Sequence, residues 1–222
     1  MKRLILVVAA ASTVAMALAA GTVLSGKEEP AGDAGANDGF KPLFNGKNLD
    51  GWTTKGNWFV KDGVLHIEPR PGEKGWKRYD AYLWADKPYA NFVLDLEFQL
   101  PPKGNSGVFV RVKDKADPVK TGIEVQINDT HGKEKVGPHD CGGVIGIVGP
   151  TKNMAKPAGQ WNRMVITCRG SRLKVSLNGE EIVDTDLAES APKKEVPPSG
   201  WLSLQDHGLP LAFRNIRLKV LD

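Results

Sequence analysis

The sequence predicts an all-β protein, an antiparallel sandwich of many short strands, and three observations carry this. Phe92, Leu94, Leu96, Phe98 and Leu100 alternate with Val93, Asp95, Glu97 and Gln99, a period of two that sends one row into a core and the other onto an open face. Leu177-Asn178-Gly179-Glu180 places an Asn-Gly turn between two alternating runs, a strong hairpin signal. No long segment shows helical spacing between caps.

In chain order, the first element is a leader. Met1-Lys2-Arg3 supplies a positive start, Leu4 to Leu18 is apolar apart from Ser12 and Thr13, and Ala17-Leu18-Ala19 offers a small-x-small cleavage pattern. Residues 1–20 therefore read as a signal peptide and predict export to the periplasm or beyond. Apolar character continues weakly to Leu24, so an uncleaved anchor is the competing expectation and the one route to membrane contact. Residues 21–39 end in small, polar and acidic residues without periodicity and read as a flexible linker. The folded domain is expected over residues 40–222. Beyond the strand at 92–100, further strands are expected at 64–68, 107–112, 122–127, 144–148, 162–168, 173–177, 201–205 and 211–220. Most are separated by Gly, Pro, Asn or Asp.

A chain of 222 residues with 41% hydrophobic and 25% charged residues can bury a core and is little more than one domain. Lys and Arg number 30 against 26 Asp and Glu, and loss of Lys2 and Arg3 with the leader halves the net charge of +4. That is no nucleic-acid footprint. Two cysteines, Cys141 and Cys168, exclude a disulfide-stapled mini-fold and a four-Cys zinc site. Cys168 ends an alternating run at a core-like position, so two free thiols are expected.

Strand parity then sorts the polar residues. In 107–112, Val108, Val110 and Val112 should point one way and Phe109 and Arg111 the other, while Ile123, Val125 and Ile127 leave Glu124, Gln126 and Asn128 exposed. Consecutive strands usually pair. Arg111, Glu124 and Gln126 should then share a patch with Ser203, Gln205 and His207. An aromatic, an arginine, a carboxylate, amides and an imidazole on one sheet face suit sugar hydroxyls, which need many directional partners. The same alternation also describes a solvated face with incidental ion pairs.

Six segments in order resemble a known family: Phe44-Asn45-Gly46-Lys47-Asn48-Leu49-Asp50-Gly51-Trp52, Asn105-Ser106-Gly107-Val108-Phe109-Val110-Arg111, Gly122-Ile123-Glu124-Val125-Gln126-Ile127, Gly159-Gln160-Trp161-Asn162, Leu204-Gln205-Asp206-His207-Gly208 and Phe213-Arg214-Asn215-Ile216. Over nearly all of residues 40–222 the chain is similar to the bacterial 3-keto-disaccharide hydrolase domain family. The resemblance implies a concanavalin A-like jelly roll of two antiparallel sheets, of the lectin and glucanase type. It also implies export and action on glycosides whose sugar ring carries a ketone. The partner implied is a carbohydrate, an oxidised glycoside or oligosaccharide. Val144-Ile145-Gly146 stands where the family often has an aromatic before the glycine, and Val125 where a tyrosine is frequent, which bears on stacking with substrate.

The implied chemistry suits these residue types. A ketone acidifies the neighbouring ring hydrogen, a base abstracts it, the enolate expels the glycosidic oxygen, and water then adds to the unsaturated sugar. Glu124 and His207 are the expected base and acid, in either order, with Arg111, a bound metal or a histidine to stabilise the enolate. Asn105, Ser106, Phe109, Gln126, Gln205, Asp206, His131 and Trp76 are expected around the substrate. Asp206 is as suited to orienting His207 or a turn as to acting directly, and Glu97 ranks below Glu124 as a candidate because its exposed face could be the convex one. Trp76 is the best exposed tryptophan for stacking, and His66 reads as structural.

No cofactor is required. Asp129, His131, His139 and Asp140 could assemble a divalent metal in one Gly-rich loop, but their spacing matches no recognised motif, and solvated histidines explain them as well. Gly142-Gly143-Val144-Ile145-Gly146 lacks the lysine and following helix of a phosphate loop and reads as a tight bend. Lys193-Lys194 needs no partner. A lectin-like binding module on the same face, without competent base and acid, is the alternative to an enzyme, and a surface-display domain is a third reading.

Overall fold

A computed structural model describes residues 38–222. The segment read as a signal peptide and almost all of the expected linker lie outside the described residues. Among those described, no helix is long and apolar enough to cross a membrane. Thirteen strands and two single-turn α-helices follow one another, in two antiparallel sheets as a jelly-roll sandwich requires. One sheet holds, in spatial order, β11 (Glu180–Asp186), β10 (Arg172–Leu177), β9 (Trp161–Arg169), β6 (Phe92–Gln99), β13 (Leu211–Val220), β4 (Val64–Ile67) and β3 (Trp58–Lys61), with β1 (Lys41–Pro42) also on β13. The other runs β2 (Trp52–Thr53), β5 (Leu83–Ala85), β12 (Trp201–Leu204), β7 (Asn105–Val112) and β8 (Ile123–Asn128).

The core lies between the sheets. Phe92, Leu94, Leu96 and Phe98 of β6 enter it with Val108 and Val110 of β7 and Val125 and Ile127 of β8. The polar row of β6 faces outward as alternation requires. There Asp95 pairs with Arg163 and Arg217, and Glu97 with Arg214. Glu97 is thus on the opposite sheet from Glu124. The Asn178-Gly179 turn forms as expected, with φ of 54° and 90° and Leu177 opposite Glu180, the left-handed pair that a tight hairpin needs.

Two expectations require correction. Residues 144–148 are not a strand but a turn held by single bridges of Val144 to Val125 and Val148. It lies along the edge of β8, with Gly142 N donating to Gln126 O, Gln126 N to Gly143 O and Ile145 N to Glu124 O.

Alternation also fails at Arg111. Its φ is 53°, and the β12 register jumps from Val112 opposite Trp201 to Phe109 opposite Ser203. One extra residue on β7 makes a bulge, which reverses the facing beyond it. Val112 therefore joins the outer aromatic cluster with Phe109, Tyr82 and Trp84. Arg111 is buried elsewhere, bonded to Ala90 O, Gly170 O and Asn91 Oδ1. It does not share the Glu124 patch.

Candidate active site

Glu124 is the second residue of β8, opposite Phe109 of β7. Its carboxylate turns across β7 over Gly107, where a β-carbon would collide with Glu124 Oε1. The missing side chain of Gly107 thus lets a carboxylate on β8 reach Gln205, just past the end of β12. Gln205 Nε2 donates to Glu124 Oε1 at 2.8 Å. Gln205 is itself fixed through its backbone, its N–H donating to Gly107 O and its C=O accepting from Ser106 Oγ at 2.8 Å. Ser106 is fully buried and acts as a strap between strands.

The outer face of this sheet is not open, contrary to the sequence expectation. Tyr82, Trp84, Phe109 and Val112 form a second apolar cluster, with Tyr79, Val119 and Trp201 packed against it. These aromatics crowd the carboxylate, and Glu124 keeps only part of its surface exposed. Burial pushes Glu124 up to about 7, against the opposing pull of the Gln205 hydrogen bond and the Lys194 ammonium. Lys194, in the loop before β12, donates to Val119 O at 3.1 Å, and burial lowers its own pKa while Glu124 raises it. The phenol of Tyr79 is pushed up by burial, with the charges of Asp117 and Glu124 adding to the rise, so it stays a proton donor at neutral pH.

Polar atoms around this carboxylate lack protein partners. Gln126 Oε1, Gln205 Oε1 and Ser203 Oγ are buried without a hydrogen bond among the described residues. Buried polar atoms are normally paired, and three such atoms on one sheet face suit a ligand with several hydroxyls. Gln126 Nε2 has only a long bond to Asn105 Oδ1, at 3.4 Å.

The remaining expected site residues divide. Asp206 is fully buried, accepts from Gly208 N at 2.7 Å, and faces Arg78 Nη2 at 3.0 Å, while Arg78 also pairs with Glu73. It is a turn and ion-pair residue, and burial raises its pKa. His207 follows directly, partly buried, with burial lowering its pKa. No hydrogen bond joins it to Glu124 among the described residues. Trp76 is 36% exposed, lies 6.2 Å from Tyr79, and its carbonyl accepts from the Tyr82 hydroxyl, which ties the exposed ring to the buried cluster.

The loop after β8 does not gather its candidate ligands. Asp140 is taken by Lys133 and by Gly137 N, Asp129 by Lys103 N, and His131 Nδ1 meets Ala155 O. His139 is exposed. Among the described residues, no three His, Cys, Asp or Glu side chains cluster as metal ligands would. His66 stacks on Phe59 at 5.3 Å on the outer face of the other sheet.

Sequence reasoning missed Tyr79, Tyr82, Lys194 and Gly107. The first three lie in connections whose approach to β8 no local pattern encodes. Gly107 carried a signal, a glycine inside a strand, which marks a close approach.

Known proteins bear on this site. A 3-keto-disaccharide hydrolase from Bacteroides thetaiotaomicron is 26% identical over 234 residues, spanning 83% of this chain and 79% of that protein. The structure of a protein from Parabacteroides distasonis described as a candidate glycosyl hydrolase is 31% identical, with a TM-score of 0.70 over 82% of this chain and 99% of that one. A carbohydrate-binding module from Bacillus subtilis shares the fold at 15% identity and a TM-score of 0.54, over 76% and 95% of the two chains. Residues 39–219 match the profile of the 3-keto-alpha-glucoside-1,2-lyase-like domain, and the chain belongs to that family.

Proposed function

We propose that this protein cleaves 3-keto-glycosides by elimination and hydration, with Glu124 as the base. The observation that carries this reading is a carboxylate held by Gln205 and pushed up to about 7 by burial, beside amide oxygens without partners. A base with a pKa near the working pH is efficient at taking a proton from carbon. Glu124 takes the hydrogen from the ring carbon beside the ketone, and the C–H electron pair forms the enolate. Collapse of the enolate restores the ketone, forms the neighbouring ring double bond and breaks the bond to the glycosidic oxygen. The leaving oxygen takes a proton from His207, and water then adds across the double bond.

Lys194 replaces Arg111 as the cation for the enolate. Its ammonium is the positive charge that acts on Glu124, whereas Arg111 is turned away. Gln126, Gln205, Ser203 and Asn105 hold hydroxyls, and Trp76 with Tyr79 offers an aromatic wall. The leader residues support export as part of the same proposal. N-terminal sequencing of native protein should find a start shortly after Ala19 or Ala20, and intact residues 1–24 in membranes would favour the anchor.

The deciding experiment incubates a 3-keto-disaccharide, deuterated beside the ketone, with wild type and Glu124→Gln. Wild type should release sugar and wash out the label, and the variant should lose at least ~100-fold in turnover while still binding. Binding without turnover or washout in wild type would leave a lectin-like module instead.

A further inference from the structure

A cavity of about 640 Å³ is not lined by Glu124, Gln126, Gln205 or His207. It lies among the residues before β6, the β9–β10 turn, and the α2 helix (Leu187–Ser190) with the loop that follows. Its size suits a small ligand. The lining is mostly apolar, with Asn91 and Ser171 as neutral polar groups and Arg111 and Lys194 as its two cations; it contains no Asp or Glu.

Arg111 is the unusual member. Its side chain is almost fully buried, at 3% exposure, and every acceptor it meets is neutral: Ala90 O from Nε and Nη2, Gly170 O from Nη1, and Asn91 Oδ1 from Nη2. No carboxylate lies within ion-pair distance of it among the described residues. A guanidinium has five N–H donors. Four bonds to neutral acceptors leave one Nη1 hydrogen free and the whole charge uncompensated. A lock between β7 and two loops accounts for the carbonyl bonds, not for an unpaired buried charge, which is normally matched by a counter-ion. Lys194 at the rim adds to the same positive field.

We propose that this cavity binds a small organic anion, with its carboxylate or phosphate against Arg111 and Lys194 and its body against the apolar wall. This is a second site, carried by Arg111 without the reading of Glu124, and Lys194 is the one residue the two have in common. Calorimetric titration of the mature protein at low salt with glucuronate, glucose 6-phosphate and glucose tests it. Glucuronate against the phosphate ester separates the two acidic groups, and glucose controls for the sugar body. One or both anions should bind saturably, weaken with added salt, and glucose should not bind here.

Arg111→Lys keeps the charge and loses the planar fork, and should weaken the anion at least tenfold. Should that variant fail to fold, Ala188→Phe, at an exposed rim position, should block binding by filling the cavity. Anion binding unchanged in Ala188→Phe, equal binding of glucose in competition with the anions, or no saturable binding of either anion would each overturn the proposal.

Discussion

Gln205 Nε2 reaches Glu124 Oε1 at 2.8 Å across the bare backbone of Gly107. Strands β8 and β7 and the residue directly after β12 thus supply one part each: the carboxylate, the clearance and the amide. Rigid strands fix such a constellation better than loops do. The amide bond favours the charged carboxylate, yet burial prevails and the pKa rises.

Gly107→Ala should separate fold from chemistry. The new methyl meets the far end of a flexible side chain rather than backbone, so the melting temperature should move by only a few degrees, about 1 kcal/mol or less. The carboxylate must swing off Gln205, and turnover should fall ~10- to 100-fold. A large loss of stability with normal specific activity in the surviving fraction would show that the glycine serves packing instead.

The raised pKa of Glu124 has a sign in stability. Native protein holds this proton up to about 7, whereas an unfolded glutamate releases it near ~4.3, so the contribution is fully present below that value. It is lost as pH rises through the window to 7, by about 4 kcal/mol at most. His66 and His207, whose pKa values are lowered, act oppositely and lose stability as pH falls below the ordinary histidine value. The difference between wild type and Glu124→Gln isolates the glutamate. Denaturant titrations from pH 4.5 to 8 should show the variant gaining relative stability with rising pH, and a constant gap would place the Glu124 pKa near its ordinary value.

Lys194→Met removes the cation that pulls the Glu124 pKa down. The acid limb of the kcat/KM profile should move to higher pH, and plateau turnover should also fall, roughly tenfold, when the ammonium stabilises the enolate. A fall in rate with an unmoved acid limb would assign Lys194 to the loop alone, through its bond to Val119 O.

Legibility followed the range of the interactions. Parity along β6 and the Asn178-Gly179 turn are set by residues a few places apart, so the sandwich and its core rows could be read directly. Glu124, Gln126, Phe109, Ser203 and Gln205 share a face because parity holds along 107–110, 123–127 and 201–205, short of the bulge at Arg111. Arg111 was misplaced because its left-handed backbone at a non-glycine position leaves no mark in the alternation. Lys194 read as a loop residue because its neighbour Glu124 is 70 positions earlier in the chain, and only the fold brings the two together.

Cys141 and Cys168 are free and buried in the core, each pushed up to about 12 by burial. A thiol reagent should leave both unmodified in native protein and label two on unfolding, with the non-reducing mass matching two thiols. A mass lower by two hydrogens would establish a disulfide.

The turn that lies along β8 bears on self-association. Without it the strand that carries Glu124 would be a bare sheet edge, a template for a strand from a second molecule. Gly142, Gly143, Val144 and Ile145 occupy that edge with their own backbone bonds. In hydrogen exchange, the amide of Gln126 should therefore be as slow as those of an interior strand. Destabilising this short turn should promote aggregation in proportion to how often it opens, before the sandwich itself unfolds.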